Sequence, residues 1–140
     1  MKTINYTKAE ALSDHWACNI DDIETSSYDE NLLLIGSNEF LVLTDDEAEE
    51  KTREYIENSL WAFNADFIIE NTDLPYEATE MIKTFQQEKC EGANDTIKAM
   101  INNMGAFVKS AINADGRGHF LSSYDGNEIE INNFFIYRVN

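Results

Sequence analysis

Leu32-Leu33-Leu34-Ile35-Gly36-Ser37-Asn38-Glu39-Phe40-Leu41-Val42-Leu43-Thr44-Asp45-Asp46-Glu47 is the stretch that decides the fold. Its two apolar runs flank the turn-forming Gly36-Ser37-Asn38-Glu39 and so predict a β-hairpin. Neither run alternates with polar residues, so at least one strand is expected to be covered on both faces. Thr44 and Glu47 form a capping box, with three acids in a first turn that favours negative charge. A long helix is expected from here, with Ala48, Tyr55, Ile56, Ser59, Leu60, Phe63 and Phe67 inward and Asp46, Glu49, Glu50, Arg53, Glu54 and Glu57 outward.

Further along the chain, Pro75 suits the start of a second helix capped by Thr72 or Asp73, burying Ala78, Met81, Ile82 and Phe85 and ended by Gly92. Asn94 or Asp95 can cap a third, whose apolar stripe runs from Ile97 to Ile112 with Gly105 as a weak point. Asp115-Gly116-Arg117-Gly118 stops it, Gly116 being the expected left-handed residue. Residues 119–124, 127–131 and 134–139 then read as a meander of three strands, with Asp125-Gly126 a stronger turn signal than Asn132-Asn133. Before the hairpin, Thr7 can cap a short helix through Ala9, Leu12 and Trp16, and residues 19–30 read as an acidic loop. The expected class is α+β: an N-terminal β-hairpin, three central helices and a C-terminal antiparallel β-meander in one compact domain over 1–140, with 1–31 irregular. No repeat or linker suggests a second domain.

The chain carries 27 acidic and 10 basic residues, a net charge of −17. Residues 1–60 hold 15 acids and four bases, so the negative field is concentrated there. Direct binding to DNA or RNA is not expected, because such binding draws on Lys and Arg neutralising phosphates. The natural partner is a protein with a basic surface. Eight Phe, six Tyr and two Trp are far more than a disordered acidic tail carries. Cys18 and Cys90 sit in no metal-ligand or C-x-x-C spacing and read as reduced thiols. The polar opening has no secretory pattern and no apolar run is long enough for a membrane span, so a soluble, cytoplasmic protein is expected.

Chemistry-bearing residues are densest in Asp115-Gly116-Arg117-Gly118-His119-Phe120-Leu121-Ser122-Ser123-Tyr124-Asp125-Gly126. Arg117, His119, Ser122, Tyr124 and Asp125 could supply an anion clamp, a base and a nucleophile. On a strand, however, His119 and Ser122 point apart, and the segment reads equally as a helix stop followed by a hairpin. Gly116-x-Gly118 lacks the context of a phosphate loop, His15 and His119 lack companion zinc ligands, and Asp21, Asp22 and Glu24 lack the loop of a calcium site. No metal or cofactor is expected. The aromatics Trp61, Phe63, Phe67 and Phe85 read as core between helices, and Trp16 as an interface anchor.

The acids Asp21, Asp22, Glu24, Asp45, Asp46, Glu49, Glu50, Glu54 and Glu57 have two readings. They could imitate a row of duplex phosphates and occupy the basic groove of another protein, or form a solvated face that keeps the chain soluble.

The 39–50 and 59–64 segments, the 115–126 segment and the closing Phe135-Ile136-Tyr137-Arg138-Val139-Asn140 give the chain a resemblance over residues 32–140 to a group of small proteins of tailed bacteriophages. The group has no assigned activity, so the resemblance implies no catalytic role at any position. It implies a setting, the host cytoplasm, in which small acidic proteins of the anti-CRISPR or anti-restriction class block a nucleic-acid-handling host or defence protein. An enzyme or ligand-binding protein centred on 115–126 is the alternative. A structural or oligomeric accessory, pairing through a free edge of the 134–139 strand, is a second.

Overall fold

In the computed structural model, which describes residues 7–140, the helices are α1 (Lys8–Trp16), α2 (Asp45–Glu57), α3 (Ala65–Glu70), α4 (Thr79–Lys89), α5 (Asn94–Met100), α6 (Met104–Asp115) and α7 (Arg117–Leu121). The strands are β1 (Glu24–Thr25), β2 (Leu32–Ile35), β3 (Asn38–Thr44), β4 (Ile129–Ile131) and β5 (Phe134–Arg138). Helix and sheet combine as an α+β chain. It divides into two compact units, one of residues up to Thr52 together with Asp115–Asn140, the other of Arg53–Ala114.

The first unit is built on a five-stranded antiparallel sheet of order β1-β2-β3-β5-β4. The expected hairpin is its centre: Leu33 pairs with Phe40 and Leu32 with Leu41, and Gly36 at φ 60° gives the two-residue turn a positive φ that other residues rarely adopt. β3 then pairs with β5, Leu41 opposite Tyr137 and Val42 opposite Ile136. The unbroken apolar run of β3 now has its reason. Phe40 and Val42 join Leu33, Ile136 and the α1 residues Ala11 and Leu12 in one buried cluster, while Leu41 and Leu43 join Leu32, Tyr137, Ala48 of α2 and Leu121 of α7 in another. Each face of the strand is dry, as the lack of alternation predicts.

Local signals fix the helices that cover it. The Thr7 hydroxyl accepts from the Glu10 N–H and caps α1. At α2 the capping box closes reciprocally: the Thr44 hydroxyl accepts from the Glu47 N–H, and the Glu47 carboxylate accepts from the Thr44 N–H. Glu47 also receives the Lys8 ammonium at 2.7 Å, and Lys8 bonds Asn31, so the start of α1 is tied to the start of α2. Although burial pushes the Glu47 carboxyl up, the bonds from Lys8 and Thr44 outweigh it and hold its pKa below the ordinary value.

Several expectations are corrected here. The segment 119–124 is not a strand: Gly116, at φ 83° and ψ 155°, turns the chain into α7. Two or three alternating residues fit one helical turn as readily as a short strand, and Phe120 and Leu121 bury in the helix. The tight turn falls at Asn132-Asn133, both with positive φ (54° and 71°), between β4 and β5. Asp125-Gly126 instead forms a bend in which the Asp125 carboxylate accepts from the Asn127 N–H. β5 lies between β3 and β4, so the 134–139 strand has no free edge for oligomer pairing. The 19–30 loop contains a single helical turn (Ile20–Asp22) and β1.

The second unit is helical. The long helix from Thr44 ends at Glu57, well short of Phe67, and its inward row is Ala48, Thr52 and Ile56, with Tyr55 half exposed. Asn94 does not cap α5 with its side chain. It donates to the Glu57 carbonyl at 2.7 Å and accepts from the Trp61 N–H, while Gln86 donates to the Phe63 carbonyl, so two amides satisfy the backbone where α2 stops. α4 ends at Lys89, before Gly92, through Cys90 at positive φ. Its Met81 is exposed, unlike the buried Ile82. The helix break falls at 101–103 instead of Gly105, where Asn102 bonds the Asn71 carbonyl and the Asp73 carboxylate. Phe63, Phe67 and Phe107 pack ring to ring at 4.9–6.1 Å.

Gly118 is the residue that lets α7 seat. A Cβ there would stand 2.5 Å from the Gly126 carbonyl oxygen and 2.8 Å from the Asn127 carbonyl carbon, both backbone atoms that cannot swing aside. Gly118→Ala should therefore destabilise the chain by about 1–3 kcal/mol, as overpacking does. Gly92→Ala, whose Cβ would meet only Lys89 at 3.8 Å, should be close to neutral. Urea unfolding followed by circular dichroism compares them, and equal midpoints would show that the close approach is not real.

Candidate functional site

Two constellations emerge from the residues singled out in sequence, and both belong to the first unit. The first surrounds Arg117, which is only 8% exposed despite its charge. Its Nη1 donates to Asp45 at 2.8 Å and to Glu49 at 3.0 Å, its Nε donates to Glu128 at 2.7 Å, and its guanidinium lies 4.7 Å over the Phe135 ring. Glu128 accepts in addition from the Tyr137 hydroxyl. Burial works against the charge on Arg117, but the bonds to Asp45 and Glu128 outweigh it and raise the guanidinium's pKa. Burial, reinforced by the Glu128 carboxylate, pushes the Tyr137 phenol well above its ordinary value. The Nε and Nη1 of Arg117 are taken up by three carboxylates and the Asp45 carbonyl of its own chain, so the residue joins the starts of α2 and α7 to β5 and serves the fold in place of an anion clamp.

The remaining members of the 115–126 set do not converge on Arg117. His119 is exposed and packs edge-on against Phe120 at 5.0 Å. Ser122 is 2% exposed; its hydroxyl accepts from the Arg138 N–H and donates toward Asp125 and the Arg138 carbonyl, which leaves no free nucleophile. Two of the expected partners, Ser122 and Asp125, do meet, at 2.9 Å, but as a bend and without a histidine.

The second constellation is one the sequence did not assemble. A hollow of about 50 Å³ is lined by His15, Trp16, Phe40, Asp125, Asn127, Ile129, Ile136 and Arg138. Trp16, expected as a partly exposed anchor, is half-buried, packs edge-on against Phe40 at 5.0 Å and forms one wall. The Arg138 guanidinium lies 3.7 Å over the half-exposed Tyr124 ring and 5.1 Å from Trp16. Burial pushes the Asp125 carboxyl up, but the bonds from Asn127 and Ser122 outweigh it and hold its pKa below the ordinary value. Arg138 and His15 were not brought together in sequence because they stand 123 residues apart and meet only where α1 and β5 line the same hollow. The adjacency of Trp16 to an otherwise apolar helix face was the one available signal.

The acids divide by what they touch. Asp45 and Glu49 are committed to Arg117. Asp21, Asp22, Glu24, Asp46 and Glu50 are exposed and form no ion pair among the described residues. Glu54 and Glu57 fall in the second unit; Glu54 is exposed, and Glu57 lies 3.7 Å from Arg53 and 3.9 Å from Lys98. The first unit holds 17 acids and five bases, a net of −12, against −5 for the second, which has 10 and five. Among the described residues no group of three or more His, Cys, Asp or Glu is placed to hold a metal ion, and no helix is long and apolar enough to cross a membrane. Both cysteines are free thiols, Cys90 exposed. Comparison with protein-family models, curated proteins and solved structures gave no match.

Arg117→Ala should cost about 2–4 kcal/mol of unfolding free energy, less than a fully buried pair would, because Asp45 and Glu49 keep more than half their surface in water. Tyr137 makes a separate prediction about pH. A phenol that holds its proton more tightly when folded contributes stability that is complete below the unfolded tyrosine pKa, about 10, and is lost as pH rises beyond it. Tyr137→Phe should cost roughly 1 kcal/mol near neutrality and flatten the alkaline decline; parallel declines in the two proteins, measured by denaturant unfolding, would rule out the assignment.

Proposed function

We propose that the chain is an acidic binding protein that inhibits a nucleic-acid-handling protein of the host or defence class by occupying its basic groove. The observation that carries this reading is the uncompensated charge of the first unit: net −12, with Asp21, Asp22, Glu24, Asp46 and Glu50 exposed and forming no ion pair among the described residues. Acids spent on structure, such as Asp45, Glu47 and Glu49, are anchored by cations, whereas these five are exposed and meet no cation among the described residues. A basic partner would be steered by that field and held at contact by carboxylate–arginine and carboxylate–lysine pairs, in the way it holds duplex phosphates. Within the 115–126 segment, the engagement of Arg117 and Ser122 by groups of the fold supports a binding role over one in catalysis for those two residues.

Charge reversal on the exposed acids tests this reading. Charge reversal at Asp45 or Glu49 would remove a partner of Arg117 and confuse loss of binding with loss of folding. Asp22→Lys, Asp46→Lys and Glu50→Lys together spare that cluster. The triple variant should keep the wild-type unfolding free energy to within about 2 kcal/mol, about 0.5 kcal/mol for each surface substitution and somewhat more for Asp46 in the first turn of α2. It should also lose partners that wild type captures from nuclease-treated bacterial lysate at physiological salt and that duplex DNA displaces. Retention of the same partners by the triple variant would sink the proposal.

A further inference from the structure

The hollow beside Trp16 carries two charges of opposite sign, each held from behind. Asp125 Oδ1 accepts from the Ser122 hydroxyl at 2.9 Å and from the Asn127 N–H at 3.0 Å. The Arg138 guanidinium is clamped over Tyr124, its Nε donating to the Asn140 carbonyl at 3.2 Å and its Nη2 to Asn38 at 3.0 Å. The Asn127 side chain also bonds the Asp125 carboxylate and Arg138 attracts it across the hollow, while the Arg138 Nη1 makes no hydrogen bond among the described residues. Preorganisation of this kind lowers the cost of ordering polar groups around a small ligand. Trp16 and Ile129 supply an apolar wall and His15 and Asn127 further polar rim, the mixture that ligand pockets show.

Size and charge narrow the occupant. The hollow measures about 50 Å³, against the roughly 10–15 Å³ that one water needs on such a measure, so it takes a group of about four or five non-hydrogen atoms. A net anion would be repelled by a chain of charge −17, and a bare cation would face Arg138. A group with both signs a few ångströms apart suits the pair. We propose that this hollow binds the zwitterionic head of a small amino acid, ammonium to Asp125 and carboxylate to Arg138, with the aliphatic part against Trp16 and Ile129. This inference is independent of the acidic-inhibitor reading, which concerns other residues.

The test is a titration of the ¹⁵N-labelled full chain with alanine, followed through the two tryptophan indole N–H resonances and the Asn127 amide. Binding of so few atoms is weak, so saturation is expected in the millimolar range. Trp16 and Asn127 should shift saturably while Trp61 stays in place, and acetate mixed with ethylammonium at equal concentration should not reproduce the shift. Asp125→Asn keeps the acceptor of the bend and should weaken alanine binding at least about tenfold, the loss expected for a charge-assisted hydrogen bond. No saturable shift, an equal shift with the separated ions, or shifts confined to α2 would each overturn the proposal on the wild-type protein, whether or not the variant folds.

Discussion

The first unit depends on one guanidinium. Arg117 enters a largely dry site at the start of a five-residue helix and reaches carboxylates 72, 68 and 11 residues away in sequence, Asp45, Glu49 and Glu128. A buried charge without such partners would be expelled or would unfold its surroundings. With them, it determines where α2 begins relative to α7 and where β5 lies beneath both. Phe135 under the guanidinium and Tyr137 on Glu128 draw two residues of that strand into the same network. Gly118 completes the arrangement, since only a residue without a side chain lets α7 approach the 126–128 backbone closely enough for Arg117 and Glu128 to meet. The glycine and arginine spacing of 115–118, which lacks the context of a phosphate loop, is accounted for by packing and charge burial.

That network also sorts the acids of a highly negative chain. Glu47 caps a helix and holds Lys8, Asp45 and Glu49 hold Arg117, and Asp125 bends the chain after α7. Each of these carboxylates works inside the fold, and its charge is partly answered there. Asp46 and Glu50, each one residue from a committed neighbour on the same helix, are exposed instead, as are Asp21, Asp22 and Glu24. The helical period thus divides one acidic run into a structural row and a free row, a division that composition and net charge conceal.

What the sequence made legible is what local chemistry decides. The hairpin at 32–44, the capping box at Thr44, the cap at Thr7 and the covering of β3 on both faces were all readable, because each rests on residues a few positions apart or on the absence of alternation within one strand. What it concealed depends on partners distant in sequence. The helix at 117–121 was hidden by a short alternation that fits either period, and by a glycine whose contact lies eight residues on. The end of α2 was hidden because Asn94, which satisfies the Glu57 carbonyl, read as a cap for its own helix. Asn132-Asn133 outcompeted Asp125-Gly126 for the hairpin because β4 and β5 pair around it, whereas Asp125 is held in its bend by Ser122 and Asn127. The hollow was invisible for the same reason: its charges and its tryptophan come from opposite ends of the chain.

The dimensions of the outer strands have a bearing on self-association. A run such as 40–43, apolar and rich in β-forming residues, is the kind of segment that templates cross-β growth when it lies at a sheet's border. Here it is interior, flanked by β2 and β5, and the borders are β1, of two residues, and β4, of three. Glu24 and Glu130 place a charge on each of these margins. So short and charged a border offers an approaching strand few backbone groups to bond and a like charge to overcome, which protects against fibril formation a chain whose centre would otherwise invite it.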